Sequence, residues 1–126
     1  MRYLADSQVV LWAMTASAHL SPRATAAIGD PNNVIFVSAA TPYELEWKKA
    51  IGKLHFADVP DWTQAMRSSG YAELPVALRH SESAARLAMH HRDPWDRIVV
   101  AQALMEGLTL ITSDQKLGAY GPRILW

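Results

Sequence analysis

The chain has 126 residues, with 12 basic side chains against 12 acidic ones, no cysteine, and half of its residues apolar. That length fits a single domain burying about two-thirds of its unfolded surface, so neither a disulfide nor a structural metal is needed to hold a core. The missing cysteines exclude a thiol nucleophile, a disulfide scaffold and a thiolate zinc site, and zero net charge argues against a broad basic coat for nucleic acid.

In chain order, short β-branched or aromatic runs alternate with longer helical patterns. A strand over Arg2–Ala5 is followed by helices over Ser7–Thr15 and Pro22–Ile28. A strand over Val34–Val37 precedes helices over Pro42–Lys53 and Val59–Ser69. A third strand, Tyr71–Leu74, leads to a helix over Ser81–His90 and another over Pro94–Glu106. Strands over Thr109–Thr112 and Arg123–Leu125 close the chain. Such alternation predicts an α/β fold, a central and mainly parallel sheet flanked by helices on both faces. The Pro94 helix is apolar almost all round, which predicts deep burial. The N-terminus meets Asp6 before a signal-peptide core can form, and the longest apolar runs fall far short of the roughly 20 residues that span a bilayer. A cytoplasmic protein without membrane contact is the expectation.

Four acids occupy related places. Asp6 follows the first strand, and Asp114 follows the strand ending at Thr112. Glu44 opens the helix after Val34–Val37, and Asp96 opens the helix before Thr109. In a parallel sheet, helix N-termini lie at the same edge as strand C-termini, where open α/β sheets bind ligands. All four therefore point to one rim. Each also has a plain structural explanation. Thr41-Pro42-Tyr43-Glu44 reads as a capping box, and Asp93-Pro94-Trp95-Asp96 nearly repeats it. Asp6 reads equally as an N-cap, and Asp114 as an Asx turn. Together, however, four carboxylates at one rim repel one another unless a cation sits among them. Oxygen ligands of this kind suit Mg²⁺ or Mn²⁺. Such ions withdraw charge from a phosphate, lower the pKa of an attacking water and stabilise a leaving oxygen, which points to phosphodiester hydrolysis.

Other residues add less. Lys48, Lys49, Lys53, Arg92, Arg97 and Lys116 lie near the acids in sequence and offer phosphate contacts, against the plainer reading of a solvated face. His90 and His91 beside Asp93 suggest a metal pair, but the dipole favours histidine at a helix end and adjacent residues do not share a helix face. His19, His55 and His80 read as structural. Trp12, Trp47, Trp62, Trp95 and Trp126 read as core or dimer-interface residues sooner than as base-stacking ones, and Pro60–Gly70 has an amphipathic pattern suited to docking a partner.

The blocks together resemble a known family. Tyr3 through Trp12, Ser38 through Leu54, His91-Arg92-Asp93-Pro94-Trp95-Asp96-Arg97 with Ala101-Gln102-Ala103, and Leu110 through Asp114 are similar, in this order and spacing, to the PIN-domain ribonucleases, specifically the VapC-type toxins of type II toxin–antitoxin pairs. The resemblance covers nearly the whole chain and implies one PIN domain over residues 1–126. It implies an endoribonuclease whose metal-binding and catalytic acids are Asp6, Glu44, Asp96 and Asp114, loaded with Mg²⁺ or Mn²⁺. Asp93, Ser113 and Thr112 are implied as supporting groups, and Arg97 lies within the same block. An RNA substrate, a cognate antitoxin and a homodimer are implied as partners. Ser7 and Gln8 stand where relatives often carry Thr and His, and Tyr43 where Trp is common; no ligand is lost. The rivals are a phospho-acceptor signalling domain, a catalytically silent PIN-like binding module, and a DNA nuclease using the same metal site.

Overall fold

A computed structural model describes all residues, 1–126. Five strands, β1 (Arg2–Ala5), β2 (Val34–Ser38), β3 (Ala72–Leu74), β4 (Thr109–Ile111) and β5 (Ile124–Leu125), form one sheet in the order β3-β2-β1-β4-β5. Every pairing is parallel. From β1 the chain steps outward to β2 and β3, then returns to β4 on the opposite side of β1. The switch point therefore lies between β1 and β4, whose C-terminal ends lead into Asp6 and Asp114.

The side-chain period of two divides the core into two layers. Tyr3, Ala5, Ile35, Val37 and Ile111 face α1 (Ser7–Met14), α2 (Pro22–Gly29) and α4 (Trp62–Ser68). Leu4 and Leu110 face α6 (Pro94–Glu106) and a 3₁₀ turn over Gln115–Tyr120, and α5 (Leu78–Arg86) packs on α6. Leu4 and Leu110 have no exposed surface, each contributing about 1.5–3 kcal/mol through burial. The remaining helix, α3 (Thr41–Ala50), packs against α1. No helix is long and apolar enough to cross a membrane.

Several boundaries differ from the sequence reading, each for a local reason. Helix α3 ends at Ala50, short of Lys53, because Gly52 takes φ +80° and the amides of Lys53 and Leu54 turn back onto the Lys48 carbonyl; that left-handed conformation suits glycine. Helix α4 starts only at Trp62, capped by the Asp61 side chain accepting from the Gln64 amide. Helix α5 begins three residues earlier than expected, where the Ala77 amide donates to His80 Nδ1. It also ends four residues earlier. There Arg97 donates to the carbonyls of Ala84 (2.9 Å), Leu87 (2.8 Å) and Ala88 (3.0 Å), satisfying the orphan acceptors of a helix C-terminus. Helix α6 has the expected span and ends at Gly107, φ +65°. Its burial is less complete than its composition suggests, because Leu104 and Met105 face solvent near its end.

Candidate active site

The rim is assembled by helix starts and strand ends. Asp6 caps α1, accepting from the Val9 amide at 2.8 Å. Asp114 caps the 3₁₀ turn, accepting from the Lys116 amide at 3.0 Å. Asp93 caps α6, accepting from the amides of Trp95 and Asp96. These three acids play the local roles that sequence allows them. Glu44 does not. Helix α3 is capped by Ala40 without a side-chain bond, and buried Thr41 leaves its hydroxyl unpartnered. The capping-box reading of Thr41 and Glu44 is therefore corrected. Glu44, 3 % exposed, accepts from the Ser7 hydroxyl at 2.7 Å and pairs with Lys48.

Asp6, Glu44, Asp96 and Asp114 meet in one cleft of about 230 Å³, lined also by Ser7, Gln8, Leu45, Lys48, Leu54 and Ser113. Their mutual proximity has a cost. Burial, opposed by hydrogen bonds from Thr112 and the Val9 amide, and reinforced by the charges of Glu44 and Asp114, raises the Asp6 pKa to about 6. Burial, then the charges of Asp93, Glu44 and Asp6 against a counteracting His91, raises that of Asp96 to about 7. Lys48 is the resident cation. Burial lowers its pKa, but the hydrogen bond and charge of Glu44, with Asp93 and Asp96 nearby, leave it raised. Lys48 engages Glu44 and stands 3.7 Å from Asp93, so Asp6, Asp96 and Asp114 have no lysine or arginine partner.

The residue that sequence reasoning set aside is His91. Its Nε2 lies 3.2 Å from Asp114 Oδ2 and 3.3 Å from Asp96 Oδ2. Ligand atoms of His91, Asp96 and Asp114 all fall within 4.8 Å of one another, close enough to surround one ion. Hard carboxylate oxygens whose ionisation is opposed first by burial and then by neighbouring acids are the donor set a divalent cation satisfies, so the residues fit Mg²⁺ or Mn²⁺. Neither His90 nor an adjacent-histidine pair takes part; His90 packs edge-on against Tyr120 instead. Arg97 corrects the reading of a phosphate contact. It is 8 % exposed, and its guanidinium is spent on carbonyls of the segment between α5 and α6, with Tyr120 alongside. Thr112 accepts from the Asp114 amide, and Ser113 lines the cleft. Among the tryptophans, Trp12 packs with Trp126 and His19, whereas Trp47 is 43 % exposed and borders Trp95, which packs edge-on against Tyr43.

A doubly wound parallel sheet with acids gathered at its switch point puts a carboxylate cluster where open α/β domains bind their ligands. The sequence profile described as PIN domain matches residues 3–121, and the chain belongs to that family. No curated protein sequence matches it. In fold it is similar to the structure of VapBC2 from Rickettsia felis bound to a promoter DNA fragment, with 13% identity and a TM-score of 0.68 over 100% of this chain and 99% of that one. It is also similar to a toxin–antitoxin complex from Klebsiella pneumoniae, with 20% identity and a TM-score of 0.64 over 98% and 96% of the two chains. VapBC-5 from Mycobacterium tuberculosis gives 18% identity and a TM-score of 0.56 over 98% and 95%. At these identities the likeness speaks for the fold.

Proposed function

We propose that this chain is a divalent-metal-dependent endoribonuclease, the toxin of a type II toxin–antitoxin pair, acting in the cytoplasm as a homodimer restrained by a cognate antitoxin. The observation that carries the reading is the convergence of Asp6, Glu44, Asp96 and Asp114 on one cleft, with two of the four carboxyl groups pushed toward neutrality. Membership of the PIN family and the toxin–antitoxin neighbours support it. The phospho-acceptor alternative finds no support in β3, which runs through Leu74 into Pro75 without presenting an aspartate.

Asp6, Asp96 and Asp114 are assigned as the principal ligands, and Glu44 as a fourth acid that shares its charge with Lys48. A Mg²⁺ or Mn²⁺ ion held there supplies charge withdrawal from the phosphate and a lowered pKa for the attacking water. The chain does the rest. Ser7 fixes Glu44, the α1 and 3₁₀ amides fix Asp6 and Asp114, and the exposed cations Lys53 and Arg92, next in sequence to cleft residue Leu54 and to the α6 cap Asp93, are assigned to flanking phosphates. No protein nucleophile is required.

The test is cleavage of total cellular RNA, with new ends mapped, in the presence of Mn²⁺, Mg²⁺ or a chelator. Metal-dependent cuts at few positions are expected, and Asp6→Asn is expected to lower the rate by at least about 100-fold, as loss of a transition-state charge contact does. An Asp6→Asn protein cutting at the parent rate would overturn the assignment, and preferential cutting of single-stranded DNA would move the substrate class.

A further inference from the structure

We infer that His91 is a positioning residue of this site: its Nε2–H orients the carboxylates of Asp114 and Asp96 toward a divalent cation without the imidazole itself becoming a ligand. This deepens the metal-dependent reading above and rests on it. The ring nitrogen that carries the proton decides the role of the imidazole. His91 Nδ1 receives the Asp93 amide at 3.4 Å, and only a bare nitrogen accepts an N–H. In the neutral ring the proton is therefore on Nε2. That atom faces Asp114 Oδ2 at 3.2 Å with hydrogen-bond geometry, with Asp96 Oδ2 beside it at 3.3 Å. A histidine that ligates through Nε2 needs the opposite tautomer, with Nδ1–H given to an acceptor. Here Nδ1 is met by a donor.

The segment that carries His91 is built to keep it there. The His91 amide donates to the Tyr120 hydroxyl at 2.7 Å, and its carbonyl accepts from buried Arg97 at 3.2 Å. Arg97 also binds the carbonyls of Ala84, Leu87 and Ala88, so one guanidinium shapes the whole turn between α5 and α6. Asp93, which meets Nδ1 through its amide, is itself the cap of α6. The imidazole thus joins two segments that are 23 residues apart, the turn before α6 and the loop after β4, through the two acids that the cation must share. The Lys116 amide holds the other oxygen of Asp114, whereas Asp96 Oδ1 receives no hydrogen bond from the chain.

The experiment measures Mn²⁺ binding by the paramagnetic resonance signal of the free ion, for the parent protein, His91→Gln and His91→Ala. Glutamine carries an amide N–H to about the reach of Nε2, and alanine carries none. Loss of an outer-shell donor typically costs about 10–100-fold in metal affinity, so His91→Ala is expected to raise the Mn²⁺ Kd by that factor. His91→Gln is expected to stay within about threefold of the parent, since it preserves the donor. Metal-free melting of each variant reports whether it is folded. Pulsed resonance on the Mn²⁺-loaded parent is expected to lack the strong ¹⁴N coupling of a directly bound imidazole. A strong coupling would overturn the inference in favour of direct ligation, and it reads on the parent protein alone. Equal or tighter binding by folded His91→Ala would overturn it too, marking the imidazole as idle or as a competitor for the site. A parent that binds no Mn²⁺ would overturn both this inference and the metal-dependent reading, whereas a parent that binds normally with an unresponsive His91 would leave that reading intact.

Discussion

Asp6 is held against its own preference. It is 7 % exposed, faces two other acids, and has a pKa near 6 in place of 3.8. The folded state therefore binds the Asp6 proton more readily than the unfolded chain does. The stability tied to it is fully present below about pH 4, and it drains away as pH rises through 6. At neutral pH the two-unit shift corresponds to a penalty of about 3 kcal/mol. Asp6→Asn keeps a cap for the Val9 amide and removes the charge, so it is expected to stabilise the metal-free protein at pH 7.5 by up to that amount and to change little at pH 4. Urea denaturation at the two pH values checks it. Arg97 is the converse case, a charge the fold depends on. Its partners are neutral carbonyls and the Tyr120 hydroxyl, and those of α5 sit at the negative end of a helix dipole. Arg97→Met would strand these acceptors, so a loss of about 3 kcal/mol in urea denaturation is expected. Arg97→Lys should lose less, because one ammonium serves only part of the fork.

Helix starts decide how much of the site could be read in advance. The positions of Asp6, Asp93 and Asp114 as caps follow from residue type and neighbours alone, and the structure agrees. The α3 start did not follow. A Thr-Pro-X-Glu run looks the same whether Glu44 turns back to its own amides or outward to Ser7, 37 residues away. Only the packing of α3 on α1 settles that, and packing is long-range. His91 was hidden for the same reason. Its partner Asp114 is remote in sequence, and its place depends on a turn wrapped around Arg97, which reads in sequence as a surface cation. The alternation of short strands and helices made the sheet legible, whereas the α5 boundaries were set by His80 and Arg97 side chains that periodicity does not report. Two acids at one helix start now separate by role. Asp93→Ala removes the α6 cap and is expected to cost about 1 kcal/mol. Asp96→Asn removes a charge that burial and neighbours oppose, and is expected to raise metal-free stability at pH 7.5 while abolishing Mn²⁺ binding. Melting and titration of the two variants side by side check the division.

Across the whole molecule, 12 basic and 12 acidic groups cancel, but they are not evenly mixed. Lys49 is taken by Asp58, Arg79 by Glu106 and Arg86 by Glu82, all near the surface. The cleft keeps four acids with Lys48 as its one lysine. Surface pairs of that kind contribute little, so the electrostatic account of this fold is dominated by the cleft. A cation supplied from solution is then a missing part of the charge balance. With Asp6 and Asp96 titrating near 6 and 7, both are mostly ionised at pH 7.5 and neutral at pH 4.5. Mn²⁺ should therefore bind and stabilise at the higher pH and fail at the lower one. At 100-fold over its Kd, a ligand restricted to the folded state adds about 2.7 kcal/mol, which for a domain of this size is a rise of about 10 °C in Tm. Melting curves with Mn²⁺ or chelator at pH 7.5 and 4.5 test this. The expected result is a shift confined to pH 7.5 and abolished by Asp96→Asn. A shift of equal size at both pH values would mean that the ion binds elsewhere, and that the acids of the cleft are balanced without it.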